Sequence, residues 1–206
     1  MEAVLLATGG LDSTTLAHWL SSKAIGYVPL YIDYGQHCVD TEVERLSRVL
    51  PMNAARRLRI VEISGVYSGS SSRLIDEPDL WTDAVSADDL FLPYRNMLIL
   101  TAGAAFARTI GAQSMYAAFI NSNNAKEIDC SVQFFESMRQ MLSGYDALTL
   151  ELPFVSMPKA EVARLGISIG APIAETFSCQ VRSVVPCGAC PNCVDRLEAL
   201  ASIVTN

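Results

Sequence analysis

The sequence predicts an α/β protein: a parallel sheet of about five strands with helices on both faces. Three observations carry this expectation. Strand-like and helix-like segments alternate along the chain, which builds βαβ units with crossover helices. The strand candidates are short apolar or β-branched runs bounded by turn residues. The first of them runs straight into a glycine turn that opens a helix.

The strand candidates, in order, are 2–7, 27–33, 57–64, 114–120 and 148–154. Helical spacing predicts helices over 13–22, 41–50, 95–110, 132–142, 159–169 and 192–203, the last carried by Val194, Leu197, Leu200 and Ala201. Pro158 behind Ser156 reads as a first-turn proline behind a cap. The stretch 65–92, rich in Ser, Asp and Gly and carrying Trp81, interrupts the alternation and reads as a long functional loop, a candidate lid. After Pro172 the alternation gives way to cysteine punctuation. The expected division is an α/β unit over 1–172 with a cysteine-bearing segment and helix over 173–206 packed on it.

With 206 residues, half of them hydrophobic and 18% charged, the chain is long enough to bury one sizeable core. A net charge of −7 argues against a broad nucleic-acid face, which needs a basic patch, though backbone amides can still build a small phosphate site. No apolar run reads as a membrane span. Glu2 stands where a signal peptide would carry positive charge, so the expected compartment is the cytoplasm. There, thiols stay reduced and six cysteines are not a disulfide framework.

The stretch from Ala7 to Thr15 reads ATGGLDSTT. In an open α/β sheet, ligands bind where strand ends turn into helices. Gly9 and Gly10 let the backbone turn and approach a ligand. Leu11, Asp12, Ser13 and Thr14 open a helix whose free amides and dipole favour an anion. Asp12 is a candidate to cap that helix or to hold Mg²⁺, and Thr8, Ser13 and Thr14 add hydroxyls. A glycine turn before an ordinary helix is the plainer reading. The order G-G-x-D-S resembles the S-G-G-x-D-S pyrophosphate loop of the N-type ATP pyrophosphatases, with Thr8 as the leading hydroxyl. The Walker pattern is absent.

The tail reads SCQVRSVVPCGACPNCVDR, with Cys179, Cys187, Cys190 and Cys193 spaced C-x7-C-x2-C-x2-C. Four thiolates at this spacing suit a closed structural Zn²⁺ site, and an iron–sulfur cluster is the rival. Cys38 and Cys130 stand alone and read as inert.

Loop and cysteine spacing together resemble the 7-cyano-7-deazaguanine synthase family. Asp33-Tyr34-Gly35-Gln36 is similar to its D-Y-G-Q, Arg95-Asn96 to its P-G-R-N, Pro153, Lys159, Glu161 and Gly166 to its P…K-x-E…G, and Thr176-Phe177-Ser178-Cys179 to its T-W-S-C. The resemblance implies a Rossmann-like, adenine nucleotide alpha-hydrolase-like fold. It also implies an ATP-dependent ligase acting on a small molecule, 7-carboxy-7-deazaguanine: ATP adenylates the carboxylate, ammonia gives the amide, and a second ATP drives dehydration to the nitrile. On that resemblance Asp12, Ser13, Arg95 and Lys159 are the catalytic candidates. Ala7 through Thr14 together with Asp33, Tyr34 and Gln36 would bind ATP and Mg²⁺, and a homodimer is expected. Three departures are visible: Tyr94 replaces the glycine before Arg-Asn, Phe177 replaces tryptophan, and 121–135 lacks the family's S-G-Y-P run, keeping Asp129-Cys130 and Phe134.

Other readings remain open at this point. The acyl group could pass to an amine of another molecule such as a protein. The same loop also serves tRNA thiolation, which the acidic balance disfavours. A non-catalytic nucleotide-binding or zinc-ribbon protein would not need both Asp12 and Ser13.

Overall fold

The computed structural model describes residues 2–79, 82–83, 85–120, 128–182 and 185–204. Its five strands are β1 (Ala3–Leu6), β2 (Tyr27–Asp33), β3 (Arg59–Glu62), β4 (Ser114–Tyr116) and β5 (Thr149–Glu151). They form one parallel sheet in the order β3-β2-β1-β4-β5, registered Leu6 to Leu30, Val4 to Met115, Leu30 to Arg59 and Met115 to Leu150. Every strand anticipated from sequence is present, each within the expected range and most of them shorter. The chain winds outward from β1 to β3, then returns to the other side of β1 for β4 and β5. The carboxyl ends of β1 and β4 therefore flank a topological switch point, where open α/β sheets bind ligands.

The long helices are α1 (Leu11–Ser22), α2 (Val39–Val49), α4 (Arg95–Thr109), α5 (Val132–Asp146), α6 (Lys159–Ser168) and α7 (Pro191–Val204). A short helix α3 (Met52–Ala55), placed behind Pro51, was not anticipated; at four residues it is below what periodicity can register. Pro158 is itself the N-cap of α6 rather than a first-turn residue behind a cap, because its backbone is extended (φ −61°, ψ 146°).

The central strands β1 and β2 read as apolar runs because both sheet faces are covered there, while the edge strand β3 is largely exposed. Ala3, Leu5, Tyr27 and Tyr31 face Leu16 and Leu20 of α1, Leu46 of α2 and Val162 of α6. Val4, Leu6, Leu30 and Ile32 face Leu100 and Ala104 of α4 and Phe135 and Met138 of α5. By length and composition alone, the 22 residues Asp88–Thr109 could cross a membrane. Within that stretch α4 starts only at Arg95 and buries Leu100 and Ala107 in the core.

Gly166 shows how closely α6 sits on α1. A Cβ there would lie 2.5 Å from Thr15 Oγ1 and 2.6 Å from Ile173 Cδ1, both enclosed in the same core. Overpacking of this kind costs about 1–3 kcal/mol. Gly166→Ala is therefore expected to lower the melting temperature by roughly 2–12 °C in a thermal scan; an unchanged midpoint would contradict the close approach.

The stretch 65–92 is not structureless among its described residues. Tyr67, Leu74, Leu90 and Leu92 form a small core of their own beside Tyr34 and Leu98. Trp81 lies outside the described residues.

Candidate active site and cysteine cluster

After β1 the chain turns at Gly9, whose φ of +76° is in the left-handed region. A Cβ at Gly9 would press on the α2 backbone, 3.0 Å from Leu46 N and 3.2 Å from Glu42 O, so a side chain there would be both strained and crowded. Gly10 is the extended N-cap of α1, and the amide of Thr14 donates to its carbonyl at 3.0 Å. The amides of Leu11, Asp12 and Ser13 precede that first helical bond and have no acceptor within the helix. Two hydroxyls fix the loop. Ser13 Oγ accepts from Thr8 N at 3.2 Å and donates to Gly10 O at 3.3 Å, and it lies 3.2 Å from Thr8 Oγ1. The side chains of Ala7, Leu11 and Thr14 are buried, so these three offer the loop only their backbone.

Asp12 does not cap the helix, being its second residue. Its Oδ1 is buried without a hydrogen-bond partner, and Oδ2 lies 3.6 Å from Lys159 Nζ. Burial pushes the Asp12 carboxyl above the ordinary range, against the pull of the lysine. Lys159 opens α6 and hydrogen-bonds Asp195 of α7. Burial works against its charge, yet Asp12 and Asp195 together hold it above the usual lysine value.

The D-Y-G-Q segment follows β2. Asp33 Oδ1 accepts from Gly35 N at 2.8 Å, closing the turn. Gln36 is buried, with Oε1 accepting from Tyr34 N at 2.9 Å and Nε2 donating to Tyr31 Oη at 2.6 Å and Glu42 Oε2 at 3.2 Å. Its amide is thus engaged inside the protein, shaping the turn that carries Tyr34. Tyr31 Oη also donates to Glu42, and the Cys38 thiol to Glu42 Oε1 at 3.5 Å. Burial pushes the Glu42 carboxyl up against these donors, and pushes the Cys38 thiol up as well. Sequence reasoning missed Glu42; its signal was an acid in the first turn of the helix that backs Gly9.

Arg95 is the first residue of α4. Its positive charge works to lower the pKa of Tyr34, Tyr67 and Glu42, which places the guanidinium among them electrostatically. Asn96 is buried and joins two segments far apart in sequence: its N–H donates to Asp129 Oδ2 at 2.8 Å and its Nδ2 to Cys130 Sγ at 2.8 Å. Residues 121–127 of the altered segment lie outside the described residues. Tyr94 has a φ of +59° and is exposed, so the position that reads as glycine in the resembling family has here the left-handed backbone that favours glycine. Tyr94→Gly is expected to be more stable than Tyr94→Ala by about 1 kcal/mol in denaturant unfolding, since both remove the ring and only alanine keeps the left-handed strain.

The four tail cysteines converge. The Sγ atoms of Cys179, Cys187, Cys190 and Cys193 lie within 4.8 Å of one another. A single tetrahedral ion with Zn–S near 2.3 Å has sulfur–sulfur edges of about 3.8 Å, whereas a cluster of several irons spreads its thiolates wider. The set therefore fits one zinc ion. Backbone amides of Ala189 and Cys190 donate to Cys187 Sγ at 3.4 and 3.3 Å, which is the hydrogen bonding a knuckle supplies to thiolates. The hydrogen bond with Cys179 holds the Cys190 thiol below the usual cysteine range, while burial pushes Cys193 above it. Cys38 and Phe177 pack on the cluster. The phosphate loop is tied to this region, since Phe177 N donates to Gly9 O at 3.0 Å. A cavity of about 330 Å³ lined by Arg56, Arg57, Arg59 and Glu2 opens elsewhere, at the amino ends of the strands, away from this chemistry.

A G-G-x-D-S loop at the carboxyl end of the central strand of such a sheet defines the class: a nucleotide enzyme of the ATP pyrophosphatase type. The family described as "Queuosine biosynthesis protein QueC" matches residues 2–204, and the chain belongs to it. Two relatives named 7-cyano-7-deazaguanine synthase are similar throughout. That of Methanospirillum hungatei is 30% identical over 98% of this chain and 96% of its own length. That of a Ruegeria species is 33% identical over 97% and 88%. Among solved structures, a 4-thiouridine synthetase–RNA complex with bound ATP aligns with a TM-score of 0.56 at 17% identity. It covers 98% of this chain and about half (53%) of the solved one, and shows the likeness of fold.

Proposed function

We propose that this chain is an ATP-dependent 7-cyano-7-deazaguanine synthase with ammonia as the nitrogen donor. The observation that carries the reading is the loop from Gly9 to Ser13 at the switch point, with the buried, unpartnered Oδ1 of Asp12, in a chain that matches the synthase family from end to end.

The substrate carboxylate attacks the α-phosphorus of ATP and expels pyrophosphate, giving an acyl-adenylate. Ammonia adds to the acyl carbon and AMP leaves with one carboxylate oxygen, giving the amide. The amide oxygen then attacks a second ATP, pyrophosphate leaves, and loss of AMP and two protons yields the nitrile. Each turnover consumes two ATP.

The amides of Leu11, Asp12 and Ser13, aligned with the dipole of α1 and approached closely at Gly9 and Gly10, bind the leaving pyrophosphate. Asp12 Oδ1 and the Ser13 hydroxyl are the residues that would hold Mg²⁺, which when bound neutralises phosphate charge. Lys159 and Arg95 balance negative charge as it develops. Asp33 and Tyr34 flank the nucleotide from the end of β2, with Gln36 fixing their turn. Cys179, Cys187, Cys190 and Cys193 hold structural zinc. The segment 173–206 works as an appendage of the α/β unit, supported by the Phe177–Gly9 bond. A homodimer acting in the cytoplasm completes the proposal.

Transfer to an amine of a protein is the less favoured reading, since the relatives carry the name 7-cyano-7-deazaguanine synthase. Incubation with Mg-ATP, ammonium and 7-carboxy-7-deazaguanine is expected to release AMP only when the acid is present and to yield free nitrile by mass spectrometry. Absence of acid-dependent AMP, or an amide conjugate as the sole product, would overturn the assignment.

A further inference from the structure

Lys159 stands at the first position of α6, where the helix dipole disfavours a cation. Two carboxylates hold it there, and they do so unequally. Asp195 makes a direct hydrogen bond to Nζ, whereas Asp12 Oδ2 is 3.6 Å away, beyond ordinary hydrogen-bond length. Asp12 therefore keeps its acceptors largely unused, and its buried Oδ1 has no partner at all. A carboxylate whose buried oxygen lacks a donor attracts a cation as near as the Lys159 ammonium, unless another acceptor engages that cation. Asp195 is that group. It lies on α7, two residues past Cys193, and α7 packs directly along α6.

We infer that Asp195 is a positioning residue: it draws the Lys159 ammonium away from Asp12 and so leaves the Asp12 carboxylate open to the divalent cation that accompanies ATP. The inference rests on reading the Gly9–Ser13 loop as the nucleotide site. Without Asp195, the lysine has one carboxylate left within reach. It closes the 3.6 Å gap and competes with the cation for Asp12. Because α7 starts inside the cysteine cluster, the knuckle sets the position of Asp195 and hence the state of the loop.

The test is equilibrium binding of α,β-methylene-ATP by calorimetry in a magnesium titration, on the full chain and its Asp195→Asn and Asp195→Glu variants. The expected result for Asp195→Asn is a magnesium midpoint raised about tenfold, the lower end of what changes behind the direct ligands cost in metal affinity. Binding without magnesium should not weaken, because one negative charge near the phosphates is gone. Asp195→Glu, which can still reach the lysine, should recover most of the wild-type midpoint. A general structural role for Asp195 would weaken binding at every magnesium level and would not be rescued by glutamate. An unchanged midpoint in Asp195→Asn, or equal weakening with and without magnesium, overturns the inference while leaving the nucleotide site standing. A wild-type chain that binds no nucleotide at any magnesium level overturns the site itself and the inference with it.

Discussion

Replacing Asp12 by asparagine is expected to lower kcat/KM for Mg-ATP by roughly a hundred- to a thousandfold, because on the proposed reading Asp12 would hold Mg²⁺, and a metal ion in that place supplies several kcal/mol of charge stabilisation. The fold should not suffer. Burial raises the folded-state pKa of Asp12 above its unfolded value, so its ionised form is disfavoured by folding at neutral pH. Asparagine has the same shape without that charge, and thermal unfolding of Asp12→Asn at pH 7 is expected to occur at or above the wild-type midpoint. The same shift fixes a pH signature. A group with a raised folded pKa adds stability as pH falls through that pKa. In the metal-free chain the Asp12 carboxyl should therefore take up its proton at a pH above the ordinary aspartate value of about 3.9, which a titration followed by NMR checks. A variant that loses stability and activity in parallel would contradict this, since it would make Asp12 a folding residue.

Cys190→Ser carries the second large effect. Cys190 is buried and shares the 4.8 Å cluster with three other thiols, all packed against Phe177 and Cys38. Structural zinc contributes folding free energy directly. Loss of one ligand should empty the site and cost about 3 kcal/mol or more, a fall of roughly 6–12 °C in melting temperature. The damage should reach the phosphate loop as well. Arg196 of α7 donates to Ile173 O at 2.8 Å and to Thr176 Oγ1 at 3.3 Å, and the next residue, Phe177, holds Gly9. Metal analysis, melting and nucleotide binding should fall together in Cys190→Ser and on chelation of the wild type. Full zinc occupancy and an unchanged midpoint in the variant would remove Cys190 from the ligand set.

Much of this was legible before any coordinates. The central strands β1 and β2 are buried apolar runs closed by turn residues, a pattern that cover on both faces forces, whereas the edge strand β3 is largely exposed and is marked only by its β-branched Ile60 and Val61. Strand ends were overestimated because Ala117 and Leu152 are buried like strand residues while lying beyond the last ladder pair. The loop and the cysteines were legible because their chemistry demands fixed residue types at fixed spacing. What stayed hidden depends on contacts between distant segments. Glu42 matters through Tyr31, Gln36 and Cys38, Asp195 through Lys159, and Asn96 through Asp129 and Cys130. None of these pairings leaves a periodic mark in the chain. The glycine-like position of Tyr94 was visible as a departure, but only its φ of +59° gives the departure a physical cost.

The most direct test of the central claim follows the oxygen atoms. With 7-carboxy-7-deazaguanine bearing ¹⁸O at both carboxylate oxygens, adenylation at the acid and then at the amide predicts two AMP per nitrile, each AMP carrying one ¹⁸O. Label released to water, label kept in the final product, or one labelled AMP per turnover would contradict the two-adenylation account.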